Sequence, residues 1–144
     1  MGVVVDSSVF IAKQRGKFDW HGWTDSLGDE ELLVTTITLS ELLHGAHRAE
    51  TDVLRDKRFR FAAMLERDYC VLPFGVREAR NHAALTAEMQ RMGMSAGAHD
   101  MLIGAIARCH GHSVATLNVA EFARMPGMMV MDASPFRIVR SLHP

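Results

Sequence analysis

Two cysteines, Cys70 and Cys109, are all that the 144 residues contain. Neither a disulfide framework nor a spaced multi-cysteine zinc motif is therefore available in the sequence, and the expected state is two buried, reduced thiols. Charge of one sign is also lacking: the formal net charge is −1. The molecule as a whole is therefore no electrostatic sponge for nucleic acid, and such a partner would need a local basic patch. No apolar run approaches the ~18 residues that span a bilayer. A basic-then-apolar N-terminal signal is missing too, so the expectation is a cytoplasmic protein with no membrane partner. Repeats, low-complexity stretches, linkers and a disordered leader are not in evidence, which predicts one domain over residues 1–144. After Lys57 there is no further lysine.

What is present is a regular alternation. Short apolar runs at Val3–Val5, Leu32–Thr35, Tyr69–Phe74, Ser113–Thr116 and Met128–Met131 read as strands. Between them lie helical stretches over Ser8–Lys13 (N-cap Ser7 or Ser8), Thr38–Arg48, Asp52–Asp68, Glu78–Met92, Asp100–Cys109 and Ala120–Arg124. Trp20–Leu27 reads as short helix or irregular chain, and Gly93 and Gly97 bracket a loop. In the Thr38–Arg48 helix, Leu39, Leu42, Leu43 and Ala46 form an apolar stripe. Strands alternating with helices predict an α/β fold with a mostly parallel central sheet and helices on both faces. Ligands of such sheets bind beyond the carboxyl ends of the strands, where the strand order reverses.

Three carboxylates stand in apolar surroundings. Asp6 ends Val3-Val4-Val5, Glu41 sits in Leu39-Ser40-Glu41-Leu42-Leu43, and Asp100 precedes Met101-Leu102-Ile103. Converging acids repel one another and lose hydration, and a hard divalent cation relieves both costs. Each also has a plain reading: Asp6 as a helix cap, Glu41 as a surface residue opposite the leucine stripe, Asp100 as a first-turn acid favoured by the helix dipole. Glu41 has Gly45, and Asp100 has Gly104, four residues on, hence on the same helix face. The missing side chains leave room for a metal, water or substrate, or allow close helix packing.

Four segments carry a resemblance: Val3-Val4-Val5-Asp6-Ser7-Ser8, Thr36–Ala46, Ala98–Ala107 and Thr116–Phe122. Taken in order and across almost the whole chain, they resemble the PIN domain proteins, and most of all the VapC toxins of bacterial toxin–antitoxin pairs. The resemblance implies a PIN-like three-layer α/β/α fold. It implies an endoribonuclease dependent on Mg²⁺ or Mn²⁺ held by Asp6 and Asp100, with Glu41 completing the pocket, leaving 5′-phosphate and 3′-hydroxyl ends. The family places an acid or Asn after the fourth strand, where this chain offers Asn118 and Glu121. A tRNA or ribosomal RNA substrate, a cognate VapB-like antitoxin and a homodimer are further implications. Thr36 stands where Ser is frequent in the family and Gly104 where Ala is frequent. Ser8 and Thr116 are candidates to orient a water or a carboxylate, or simply cap and bond the strand ends.

Other readings compete. A receiver-like signalling domain wants a lysine after a late strand, which the sequence lacks. A catalytically idle binding module would keep the acids as structural residues. A metal-free ribonuclease would use His44, His47 or His99 as acid and base. The pairs His44/His47 and His110/His112 lack a third spaced ligand and read as surface or capping histidines. Arg48, Arg55, Lys57, Arg58, Arg60 and Arg67 form either a solvated face or a phosphate- or partner-binding surface. Trp20 and Trp23 are read as packing or contact residues, and the Met-rich stretches as core or partner grooves.

Overall fold

The computed structural model describes residues 2–139, so the outermost residues of the expected 1–144 domain lie outside it. Five strands, β1 (Gly2–Val5), β2 (Glu31–Thr35), β3 (Cys70–Leu72), β4 (Ser113–Thr116) and β5 (Val130–Asp132), form one sheet in the order β3-β2-β1-β4-β5. Every pairing is parallel, with Val4 beside Leu33 on one side and Val114 on the other. The helices are α1 (Ser7–Gln14), α2 (Trp20–Leu27), α3 (Thr36–His47), α4 (Asp52–Asp68), α5 (Val76–Arg91), α6 (Ala98–Cys109) and α7 (Val119–Ala123).

Alternation along the central strand explains the three layers. Val3 and Val5 point to one face and join Phe10, Trp23, Val34 and Leu65 from β2 and helices α1, α2 and α4. Val4 points to the other and joins Leu85, Met89, Ile103 and Phe122 from α5, α6 and α7. A strand covered on both faces has no solvent side, so its sequence is apolar throughout.

The differences from expectation have local causes. The sheet is parallel throughout rather than mostly so. β3 stops at Leu72, because Pro73 has no N–H for the ladder. β5 lies one to two residues later than expected and ends on Asp132. α3 begins at Thr36, since the Thr35 hydroxyl accepts from the Thr38 N–H at 3.1 Å. α5 starts at Val76 after Gly75, and α6 at Ala98, which makes Asp100 the third helical residue rather than the first. Trp20–Leu27 is a regular helix whose cap Asp19 accepts from the Gly22 N–H at 3.0 Å. Neither Ser7 nor Ser8 caps α1; Asp6 holds that position. The inward face of α3 is Thr38, Leu42 and Ala46, with Leu39 and Leu43 only half-buried. The thiols are not both buried: Cys70 is exposed and Cys109 half-buried. Trp20 and Trp23 pack against each other and Phe18, with 5.3 Å between the two indole rings.

Candidate active site

Strand order reverses between β1 and β4, because the chain runs outward through β2 and β3 before returning to the other side of β1. Asp6 follows β1 at this point, and Thr116 ends β4 beside it. The Asp6 N–H extends the ladder to the Ala115 carbonyl at 2.9 Å. Asp6 is 1% exposed. It occupies the N-cap position of α1, yet its side chain makes no capping bond. Instead its Oδ2 accepts from the Thr116 hydroxyl at 2.9 Å and the Ser8 hydroxyl at 2.7 Å. Both hydroxyls are held in turn: the Asn118 N–H donates to Thr116 Oγ1 and the Leu117 N–H to Ser8 Oγ. Ser8 and Thr116 thus orient a carboxylate and bond the strand end together. Asp6 Oδ1 is left buried with no hydrogen-bond partner.

Glu41 reaches the site from α3. Ser7 donates to its Oε2 at 3.3 Å, His99 Nδ1 lies 3.7 Å from the same oxygen, and Oε1 is buried without a partner. Burial raises the Glu41 pKa and Asp6 adds to the rise, while His99 opposes it. Asp100 arrives from the first turn of α6, where the helix dipole favours its charge. Even so, burial first, then the charges of Asp6, Glu121 and Glu41, push it from 3.8 up to about 6. These three acids feel one another, as the sequence suggested.

Glu121 and Asn118 are placed differently. Glu121 Oε2 accepts from the Gly97 N–H at 3.0 Å and Oε1 faces Arg124 at 3.5 Å, so it ties α7 to the turn before α6. It also lines a cavity of about 830 Å³ together with Asp100, Asn118 and Asp132. Asn118 has an exposed side chain there, and its backbone does the bonding. Asp132 was missed from the sequence, although Met129-Val130-Met131-Asp132 repeats the apolar-run-then-aspartate pattern of Val3–Asp6. Its Oδ1 accepts from the Ser134 N–H at 2.9 Å.

On the other side, Glu41 lines a groove of about 730 Å³ shared with Lys13, Arg15, Lys57, Arg58, Arg60 and Gly45. Lys13 Nζ stands 4.5 Å from the Trp20 ring centroid. The remaining cations of the Arg48–Arg67 stretch are partly committed: Arg55 to Asp52 and Arg67 to Asp68. Gly45 does open space, since nothing lies within 4 Å of where its Cβ would be. Gly104 does not; a Cβ there would meet Met125 Sδ at 2.5 Å, so it serves close packing. His44 and His47 are exposed on α3 and form no site with one another.

The donor set fits a hard cation. Two buried carboxylate oxygens lack partners, a third acid is held toward neutrality by burial first and then by neighbouring charges, and all are oxygen ligands. Among the described residues, the trio of ligand atoms within 4.8 Å of one another is elsewhere, at Glu78, Cys109 and His110. The acidic cleft is wider than that, as suits an ion that keeps part of its water.

A parallel, doubly wound α/β protein with a buried acid at its topological switch point is of the class that binds its ligand at that crevice. The PIN domain family profile matches residues 3–128. The chain is 34% identical to Ribonuclease VapC1 of Rickettsia felis over 134 residues, 93% of this chain and 98% of that protein. It is 30% identical over 111 residues to the tRNA(fMet)-specific endonuclease VapC of Salmonella typhimurium, covering 74% of this chain and 79% of that one. In structure it is similar to DNA-bound VapBC from Salmonella typhimurium, with a TM-score of 0.81, 24% identity, and 92% and 98% of the two chains covered. The chain belongs to the PIN domain family. Nucleases of this family are generally dependent on a divalent metal ion.

Proposed function

We propose that the chain is a single-domain, cytoplasmic endoribonuclease, the toxin of a VapBC-like toxin–antitoxin pair, with Mg²⁺ or Mn²⁺ as its cofactor. The observation that carries this reading is Asp6: a buried carboxylate with one oxygen locked by two hydroxyls and the other left unpaired beside Glu41 and Asp100. Asp6 Oδ1, Asp100 and Glu41 Oε1 are the atoms that would hold the ion. When bound, it supplies a Lewis acid that activates water and neutralises charge building on the phosphoryl oxygens.

The chain's own residues supply the rest. Ser8 and Thr116 keep Asp6 from rotating, so its free oxygen is presented without reorganisation on binding. Glu41, its pKa raised by burial, completes the acidic pocket with the unpartnered Oε1 turned toward the ion. Ser7 fixes the other oxygen of that carboxylate. Lys57 and Arg60 in the groove are placed to hold RNA phosphates next to Glu41. Asn118 and Glu121 shape the far wall, and Glu121 adds negative charge near Asp100. In-line attack of water on phosphorus then forms the new P–O bond and breaks P–O3′; the attacking water releases its proton to solvent and the departing O3′ takes one from solvent, leaving a 5′-phosphate and a 3′-hydroxyl.

The substrate is structured RNA, with a single-stranded loop at the cut, where bases are free to splay out. A tRNA is favoured over ribosomal RNA by the Salmonella typhimurium relative named for tRNA(fMet). The VapBC complexes among the structural neighbours support a VapB-like antitoxin as partner, and a homodimer is the proposed assembly of the toxin. Mapping cleavage ends in total RNA after brief expression tests the reading. The wild type is expected to yield discrete new 5′-phosphate ends and Asp100→Asn none. Cleavage by purified protein is expected to stop in EDTA and to return with Mg²⁺ or Mn²⁺. Activity persisting in EDTA would instead favour acid–base chemistry at His99, and cleavage unchanged in the variant would remove the acidic cleft from the reaction.

A further inference from the structure

We propose a second metal site, of zinc type, at the base of the α5–α6 hairpin, formed by Glu78, Cys109 and His110. The pair His110/His112 lacks a third spaced ligand in the sequence; Cys109 is its immediate neighbour, and the fold supplies Glu78. Glu78 comes from the first turn of α5 and Cys109 from the last residue of α6, and the three ligand atoms lie within 4.8 Å of one another.

Glu78 is the independent sign that something belongs there. It is 6% exposed, and its Oε2 is buried with no hydrogen-bond partner. A carboxylate so placed ordinarily finds a lysine or arginine. Among the described residues its ion-pair neighbour is His110, whose Nε2 stands 3.7 Å from Oε1, too far for a hydrogen bond. The adjacent Arg108 is already engaged by Glu88 and the Pro126 carbonyl. Asn81, one turn further along α5, also has a buried carbonyl oxygen without a partner. His112 is not a ligand through Nδ1, which accepts from the Gly2 N–H at 2.9 Å; its ring stacks on His110 and steadies it.

Ligand chemistry separates this corner from the acidic cleft. Thiolate, imidazole and one carboxylate suit Zn²⁺, whereas an all-carboxylate cleft suits Mg²⁺ or Mn²⁺. Tetrahedral zinc needs ligand atoms about 3.3–3.6 Å apart, so small rotations of Cys109 and His110 would complete the site. The fourth position would fall to water or to the Asn81 carbonyl. On binding, the Cys109 thiol gives its proton to solvent and the sulfur becomes the ligand, so affinity rises with pH. Asp100 and Cys109 are nine residues apart on α6, about 14 Å at the helical rise, so the two sites load independently. The metal would staple the end of α6 to the start of α5.

Cobalt is the probe. The full-length chain, stripped with EDTA and dialysed, is titrated with Co²⁺ and then with Zn²⁺. Expected is a thiolate-to-cobalt charge-transfer band with the visible bands of tetrahedral Co²⁺, displaced by about one equivalent of Zn²⁺. Cys109→Ser is expected to abolish the band, and His110→Gln to weaken Zn²⁺ binding at least 100-fold, more than changes in supporting residues cost. Asp100→Asn is expected to keep band and affinity. If Cys109→Ser does not fold, Glu78→Gln and His110→Gln decide through Zn²⁺ affinity alone. No thiolate–cobalt band in the wild type, a band that survives Cys109→Ser, loss of the band in Asp100→Asn, or unchanged affinity in both Glu78→Gln and His110→Gln would each overturn the site.

Discussion

Removing the charge of Asp100 should stabilise the metal-free protein while destroying its chemistry. The Asp100 pKa stands at about 6 against an ordinary 3.8, with burial the first cause and the charges of Asp6, Glu121 and Glu41 next. An acid whose pKa is raised on folding is harder to ionise in the native state, so its ionised form destabilises the fold. The penalty is absent below about pH 4, grows between about pH 4 and 6, and is complete above. The rise corresponds to about 3 kcal/mol at 1.36 kcal/mol per pKa unit, and half-exposure to solvent reduces it to about 1–2 kcal/mol. No hydrogen bond contributes to the Asp100 value, so Asn loses little in exchange. Asp100→Asn is therefore expected to raise the Tm in EDTA by about 3–6 °C at pH 8 and by nothing at pH 4. Thermal unfolding followed by circular dichroism across this pH range is the assay. With Mg²⁺ at ~100 times its Kd, the wild type gains about 2.7 kcal/mol and the order reverses. A variant less stable than the wild type at pH 8 in EDTA, or a gain equal at both pH values, would refute the repulsion argument.

Three further outcomes are expected. Thr116→Val keeps the shape of a fully buried side chain but strips a donor from Asp6 Oδ2 and an acceptor from the Asn118 N–H. It should cost about 1–3 kcal/mol in urea unfolding and weaken Mg²⁺ binding; unchanged stability would remove Thr116 from the support of Asp6. Gly45→Ala meets nothing within 4 Å inside α3 and should gain about 0.5–1 kcal/mol in the same assay. Lys57→Ala and Arg60→Ala should each lower the salt dependence of RNA binding, the slope of log K against log salt falling by about 0.7 per lost phosphate contact; slopes equal to wild type would place RNA elsewhere.

Much of this molecule was legible because period and position carry it. Val3–Val5 could only be a strand covered on both faces, and the acid after it had to fall at a strand end. Asp100 stood out as a polar residue opening an apolar helix. Other features need partners distant in sequence. The face of α3 was misjudged because Thr38 looks peripheral until the fold covers it; then Thr38 is inside and Glu41 half-buried beside it, while Gly45 stays open. Asp132 was overlooked since a strand of three residues at the sheet edge carries little periodic signal. The roles of Gly45 and Gly104 look identical in the sequence, four residues after an acid, and only the methionines packed on α6 separate them. His110 had no visible third ligand because Glu78 stands 32 positions earlier, brought back by the α5–α6 turn.

The cleft has two walls drawn from separate stretches of chain. The basic groove is lined within residues 11–61 and the polar cavity within 97–134, and Asp6 belongs to neither lining. Glu41 on one wall and Asp100 on the other carry charges felt at the buried acid, and the backbone of Leu117 and Asn118 ties the second wall to it through Ser8 and Thr116. The protein is thereby divided into a fixed reactive seam and two interchangeable approaches. Changes at exposed positions of one approach alter what can lie along that side while leaving the residues of the opposite approach in place.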